Sequence, residues 1–411
     1  MTTSPIVLAP RIRVGHPSRR HAGVGFWLVS SAFLVVMAFN TVPTPLWPLY
    51  QEVNGMSTLA ITLAFAAYAL GVLISLFLGG HISDWHGRRR ILLPAIGIEI
   101  IAAIILLSST ALPALLIARF VGGLGVGLLT ATATAFGLEL YAHARPGRAV
   151  HFSDGVLTTA NLGGLGAGPL VAGLLAAFVP GPLTTVYAVF LVLLVLAGIA
   201  IAIAPETVTR EHRTYRPQRV VVPASSRPRY LLLGLGAFLS FTLFGLFTSV
   251  APKILGASLG VTSPAVSGAV AAAVFAVAVV AQLALGRARP ARQLTTGLIL
   301  LALGFVLLLI AGLTSGLAVF VAGAVVGGAG AGALFKSVMV SARAMAEDGA
   351  KGEALAGMFL AAYLGMALPV IGLAVVADIA GLTIALMSLS AVVLVLIVVA
   401  GIGLIRTRRA A

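Results

Sequence analysis

The chain has 411 residues, 60% of them hydrophobic and 9% charged, with a mean hydropathy of +1.11. That leaves too little polar surface to cover a water-soluble domain of this size. The formal net charge is +15, and the absence of cysteine excludes disulfides and thiolate metal sites.

Twelve apolar runs approach the ~20 residues that an α-helix needs to cross a bilayer. They cover residues 24–50, 57–80, 91–109, 112–138, 150–177, 181–204, 229–250, 264–286, 294–313, 316–339, 354–377 and 382–405. They predict an all-α membrane protein with twelve transmembrane helices. The preceding residues, 1–22, carry Arg11, Arg13, Arg19 and Arg20 without a short apolar core and cleavage-type ending, so the first span is expected to be uncleaved.

In the first span, "FNTVPTPLWPLY" (39–50) places three prolines within six residues. Its outer end must bend or unwind, and Asn40 offers an amide at depth. After the second span comes "LFLGGHISDWHGRRRILLPAIG" (76–97), which sets Asp84 and three arginines in a short hairpin between apolar runs.

The third span contains Glu99 and the fourth contains Arg119. Intramembrane charges are costly and point to function. A rise of about 1.5 Å per residue brings the two to similar depths in antiparallel spans. Either they form an internal ion pair, or Glu99 exchanges protons and Arg119 tunes it. Asp154, one turn into span five, is a further proton-coupling candidate or a member of the loop network.

Span four also holds "RFVGGLGVG" (119–127), and span five holds "GLGAGPLVAG" (164–173), with Gly164, Gly168, Pro169 and Gly173. Small residues four apart let helices approach closely, and the proline releases one backbone hydrogen bond and permits a bend.

The segment "PETVTREHRTYRPQRVVVPASSRPR" (205–229) is basic, contains four prolines, and divides the spans six and six. The expected organisation is a tail over 1–22, a six-helix bundle over 23–204, a linker over 205–228, a second bundle over 229–405 and a tail over 406–411. In span seven, Phe238, Phe241, Phe244 and Phe247 form either a packing or lipid-facing stripe or a pocket wall. Lys336 in span ten is expected to snorkel to the head groups.

With the N-terminus inside, every basic cluster falls on one side: the tail, 88–90, 145–148, 210–229, 287–292, Arg343 and 406–409. Only Lys253 lies opposite. This bias places both termini in the cytoplasm and turns the positive face toward anionic membrane lipids and not toward nucleic acid.

The halves repeat. "VGGLGVGLL" (121–129) matches "VGGAGAGAL" (326–334), "GVLTTANLGG" (155–164) resembles "GMFLAAYLGM" (357–366), and "LFLGGHISDWHGRRR" has a shortened counterpart in "LALGRARPARQ". Asn161 and Tyr363 occupy matching positions, which predicts opposite walls of a central pocket. Asn40, Thr130, Thr134, Thr158, Phe241 and Phe244 complete the substrate-binding candidates in an otherwise apolar cavity.

The hairpin residues Gly80, Asp84, Gly87, Arg88 and Arg89 follow the pattern G-x-x-x-D-x-x-G-R-R. With the span-four and span-five motifs, the chain resembles the major facilitator superfamily of secondary transporters, and bacterial drug/proton antiporters within it. Trp85 replaces the usual basic residue after the acid, and Ala172 replaces a glycine of the span-five motif, which is associated with exporters. The resemblance implies two six-helix bundles, with Asp84 against the start of span eleven (Gly352–Gly357) and Arg88 paired with Glu139. Together these residues would latch the cytoplasmic side.

The resemblance also implies proton-coupled efflux of small apolar or amphipathic compounds, such as antibiotics, by alternating access. Drug-exporting relatives often carry a carboxylate in span one, and this chain has none, which directs attention to Glu99 and Asp154. An exporter or importer of a sugar or other metabolite is the alternative, while a non-transporting scaffold leaves the hairpin unexplained. No G-x-x-x-x-G-K-[ST] loop and no H-E-x-x-H pair occurs. We therefore expect no enzyme, no metal and no cofactor, with a proton gradient as energy source, in a monomer of the inner membrane.

Overall fold

The computed structural model describes residues 18–148, 151–208, 215, 217, 226–286, 288–346 and 351–409. Among them, every regular element is a helix, and twelve helices are long and apolar enough to cross a membrane. These spans are Arg19–Asn54, Thr58–Gly79, Arg88–Ser108, Leu112–Ala144, His151–Phe178, Pro182–Ile203, Arg227–Ser249, Pro264–Ala284, Pro290–Thr314, Leu317–Met345, Gly352–Ala380 and Leu382–Thr407. Most of residues 1–22 and of the linker lie outside the described residues.

Local chemistry sets several boundaries. Ser18 and Ser57 accept hydrogen bonds from the N–H groups of His21 and Ala60, capping the first two spans. Span one is α-helical to Thr41, passes through a 3-10 turn at Thr44–Leu46 and resumes at Trp47. Three prolines without N–H donors account for this break. Span five behaves differently: its helix runs through Pro169, and the irregularity is a π-helical turn at Thr159–Gly163. The irregularity thus lies not at the proline but in a bulge about two to three turns earlier.

Buried side chains form two apolar clusters. One draws on residues 22–204 and the other on residues 230–404, with Leu162 in the second and Tyr363 and Met366 in the first crossing over. Spans five and eight, and spans two and eleven, carry the contact between the halves.

The glycine repeat has a packing cause. A Cβ on Gly123 would strike the backbone of span two, and one on Gly328 would come within 2.6 Å of the Val274 carbonyl in span eight. Two positions on, a Cβ on Gly125 would meet Glu99 of span three and one on Gly330 would meet Leu301 of span nine. The same two helix crossings are thus made twice. In span five, a Cβ on Gly164 or Gly168 would hit span one, whereas one on Gly173 would hit Pro264 of span eight. This motif packs one face within its own bundle and the other across to the second.

Candidate functional site: an aromatic cavity between the bundles

A central cavity of about 70 Å³ lies between the halves. Spans one, two, four and five contribute Asn40, Tyr68, Thr130 and Asn161 to its wall, and spans seven and eleven contribute Phe241, Phe244 and Tyr363. Asn161 and Tyr363 do face one space from the two halves. Asn161 lies on the π turn, a type of irregularity frequent at functional sites.

Two candidates fall elsewhere. Thr134 and Thr158 do not line the cavity. The Thr134 hydroxyl is returned to its own helix, donating to the Thr130 carbonyl at 2.9 Å. Thr158 ends the regular segment before the π turn, so ordinary helical spacing misassigns its direction.

Three of the four span-seven phenylalanines pack inward, while Phe238 is half-buried. Phe241 packs on Phe335 (ring centroids 4.8 Å apart) and Tyr363 (5.6 Å), Phe244 stacks on Phe275 (5.0 Å), and Phe247 meets Phe320 (5.4 Å). Phe335 and Phe359 also line the cavity. Both were missed because they lack the regular spacing that drew attention to span seven.

Glu99 and Arg119 do not form an ion pair. The Arg119 guanidinium donates to the Asn40 carbonyl at 2.8 Å and stands over the Tyr68 ring, 4.4 Å from its centroid. Backbone acceptor and aromatic face hold the cation in the role expected of the carboxylate. Glu99 is fully buried, and neither of its oxygens has a hydrogen-bond partner among the described residues. Asn40 lies beside it, but the amide Nδ2 is directed to Val36 O at 2.8 Å. Glu99 thus sits in its own bundle, behind an Asn40 that itself faces the cavity. Tyr68 was missed, although a tyrosine in mid-span is a visible polar signal.

The hairpin between spans two and three is strapped down on its own half. Arg88 meets Glu139 at 2.8 Å and Asp84 at 2.5 Å. Glu139 also accepts from the Thr207 hydroxyl at 2.5 Å. Glu206 accepts from the backbone N–H groups of Arg88 (3.0 Å) and Arg89 (3.1 Å), and so caps span three. The Arg89 guanidinium donates to Ala202 O at 3.1 Å.

Gly87 adopts φ +111°, and a Cβ there would come within 2.8 Å of Glu206. Gly80 closes span two, where a Cβ would crowd the Leu76 carbonyl at 2.8 Å. Asp84 is otherwise 57% exposed. No hydrogen bond or ion pair joins it to Gly352–Gly357 among the described residues, so the expected contact with span eleven is absent and Arg88 takes the carboxylate instead. Glu206 was unforeseen, because it follows the end of span six and no local signal ties it to the start of span three, 118 residues earlier in the chain.

Contacts between the halves lie on both sides of the cavity. Away from the termini, the Thr44 hydroxyl and the Trp47 indole N–H donate to Thr248 O at 3.1 and 2.9 Å, and Lys253 reaches the Thr58 hydroxyl. The proline break in span one is what turns Thr44 and Trp47 toward span seven. Near the termini, Lys336 stands 3.7 Å from Asp154 and donates to Gln282 O. Lys336 therefore does not snorkel freely, and Asp154 bridges spans five and ten.

The fold is thus two six-helix bundles enclosing a central cavity, a membrane architecture that the family match assigns to transport. The family model described as Major Facilitator Superfamily matches residues 28–287, and the chain belongs to that superfamily.

Two Mycobacterium tuberculosis sequences, "Uncharacterized MFS-type transporter MT1926" (strain CDC 1551 / Oshkosh) and "Uncharacterized MFS-type transporter Rv1877" (strain H37Rv), are each 27% identical over 140 residues, 34% of this chain. The match spans 20% of the length of these curated relatives. Among solved structures, the fold is similar to that of the peptide transporter POT with bound sulfate (TM-score 0.75, 15% identity, 94% of this chain and 95% of that one). It is also similar to the human organic anion transporter MFSD10 (0.69, 18%, 93% and 100%) and the nucleoside transporter NupG (0.69, 13%, 93% and 99%). At these identities the likeness concerns the fold.

Proposed function

We propose that this transporter exports small apolar or amphipathic, ring-bearing compounds, antibiotics among them, in exchange for protons across the inner membrane. Glu99 is the observation that carries this reading. An ionised carboxylate held there is fully buried without an ion pair among the described residues, and such a charge is expensive to keep. Its cost changes when water reaches it, so proton binding differs between conformations, which is what coupling requires.

The cavity wall supports an aromatic cargo, because faces of Phe and Tyr offer stacking partners and no carboxylate lines it. At about 70 Å³ the cavity is too small for a drug-sized ligand, which needs roughly 300 Å³ or more. Loading therefore requires the halves to part at one end. Gly164, Gly168, Pro169 and Gly173 support the outward direction through their likeness to the exporter motif. The basic clusters support cytoplasmic termini.

The test is transport in proteoliposomes with and without a pH gradient. Wild type should move aromatic compounds faster with the gradient, and Glu99→Gln should move them at a rate indifferent to it. Retained gradient dependence in the variant would remove Glu99 from the mechanism. Faster movement of sugars than of aromatic compounds would favour a metabolite carrier.

A further inference from the structure

We propose that an anionic phospholipid binds in a cleft between spans one, four and five at the face bearing the termini. The cleft encloses about 830 Å³, within the ~300–1,000 Å³ typical of ligand sites. Arg20 reaches it from the start of span one, Arg145 and Arg148 from the connection after span four, and His151 from the start of span five. All four are exposed. The three guanidinium groups have no hydrogen bond or ion pair among the described residues, and no carboxylate lines the cleft. Guanidinium groups are the side chains best shaped to grip a phosphate diester.

The floor supplies the other half of the argument. Phe26, Trp27, Phe152 and Tyr141 close a ring of aromatic contacts, with centroid separations of 5.2 Å (Phe26–Trp27), 6.4 Å (Trp27–Phe152), 5.7 Å (Phe152–Tyr141) and 5.2 Å (Tyr141–Phe26). Trp27 and Phe152 remain 55% and 54% exposed. Seven residues separate Arg20 from Trp27, roughly 10 Å along the helix. The cationic rim and the aromatic surface are therefore offset as a head group is from the top of its acyl chains.

Loop arginines alone satisfy the positive-inside bias. They do not call for a cleft or for a bare aromatic floor beneath it. The second half has an apolar cleft of about 310 Å³ near the same face, and Arg229 is the only charged residue lining it. The cluster in the first half is thus not a by-product of the repeat. Free phosphate would satisfy the arginines and leave Trp27 and Phe152 uncovered, so the occupant is a lipid.

The test uses the full chain, purified in neutral detergent, with phosphatidylglycerol, phosphatidylcholine or inorganic phosphate added. Retained lipid is counted by native mass spectrometry and thermal unfolding is followed in parallel. Phosphatidylglycerol should be retained and raise the unfolding temperature, whereas phosphatidylcholine and phosphate should do neither. Arg145→Gln combined with Arg148→Gln should weaken phosphatidylglycerol binding roughly thirtyfold, at about a kcal/mol per arginine.

Arg289→Gln with Arg292→Gln, exposed on the same face outside the cleft, should change it less than about twofold, below the contribution of one arginine. Trp27→Ala should reduce retention of the lipid. Equal retention of phosphatidylcholine, equal loss in both arginine pairs, or stabilisation by phosphate alone would each overturn the proposal. If the Arg145/Arg148 variant does not fold, the comparison of lipids on wild type decides.

Discussion

The hydroxyl of Thr41 donates to the carbonyl of Leu165 at 2.9 Å. Leu165 lies four residues before Pro169, so it is the carbonyl that the proline leaves without its helical N–H. In the second half, Thr242 donates to Gly365 O at 3.1 Å, four residues before Pro369. A threonine on the first helix of each half thus completes the backbone of the fifth helix of that half, in hydrocarbon where an unpaired carbonyl is costly.

Thr41→Val should therefore lower stability by about 1 kcal/mol, the scale of interhelical hydrogen bonds in membranes. The same change on a Pro169→Ala background should cost almost nothing, because the alanine N–H restores the helical bond. A double-mutant cycle by equilibrium unfolding in mixed detergent measures the coupling. Additive effects would show that Thr41 acts through packing alone.

Much of this architecture was legible in the sequence, for physical reasons. Membrane spans announce themselves by length and hydropathy, and a glycine repeat must reappear where the same crossings are built twice, as at Gly123 and Gly328. The span-one prolines could not hide a break. Contact partners were less legible. Glu99 and Arg119 lie at similar depth, yet depth does not reveal that Asn40 and Tyr68 claim the arginine. Thr158 was misplaced because a π turn is invisible to 3.6-residue spacing. Asp84 took Arg88 as its partner, a choice among nearby cations that sequence order does not decide.

Gly87→Ala should destabilise the hairpin by about 1–3 kcal/mol, the cost of a strained backbone conformation. The left-handed φ and the Glu206 carboxylate both oppose a Cβ there. Glu206→Gln keeps the shape and loses the charge at a helix start, so it should cost about 1 kcal/mol or less. Unfolding curves compare the two. An alanine variant as stable as wild type would mean the glycine is not held by its conformation.

Phe335→Ala should weaken binding of aromatic cargo by about 1 kcal/mol and leave the dependence of transport on the pH gradient unchanged. Phe335 lies in the cavity wall against Phe241, away from Glu99. Binding measured by tryptophan quenching, with transport in parallel, separates the two effects. Loss of gradient dependence would join cavity wall and proton site in one unit.

Asp154→Asn should speed the opening of the face bearing the termini, since the Asp154–Lys336 pair holds spans five and ten together across the halves. The effect should shrink at high salt, because Asp154 is half exposed and its charge is screened. Accessibility of cavity positions to a water-soluble thiol reagent, after single cysteines are introduced, reads the opening. No change at low salt would make the pair incidental.

The claim that a proton on Glu99 drives the halves is tested most directly by distances. The chain has no cysteine, so spin labels can be placed cleanly at Arg145 with Arg289 on the face of the termini, and at Glu52 with Ala257 on the other. Between pH 8 and pH 5.5, the distance distribution of one pair should widen while that of the other narrows in wild type, and Glu99→Gln should hold one fixed distribution at both pH values. A variant that shifts with pH as wild type does would contradict the account.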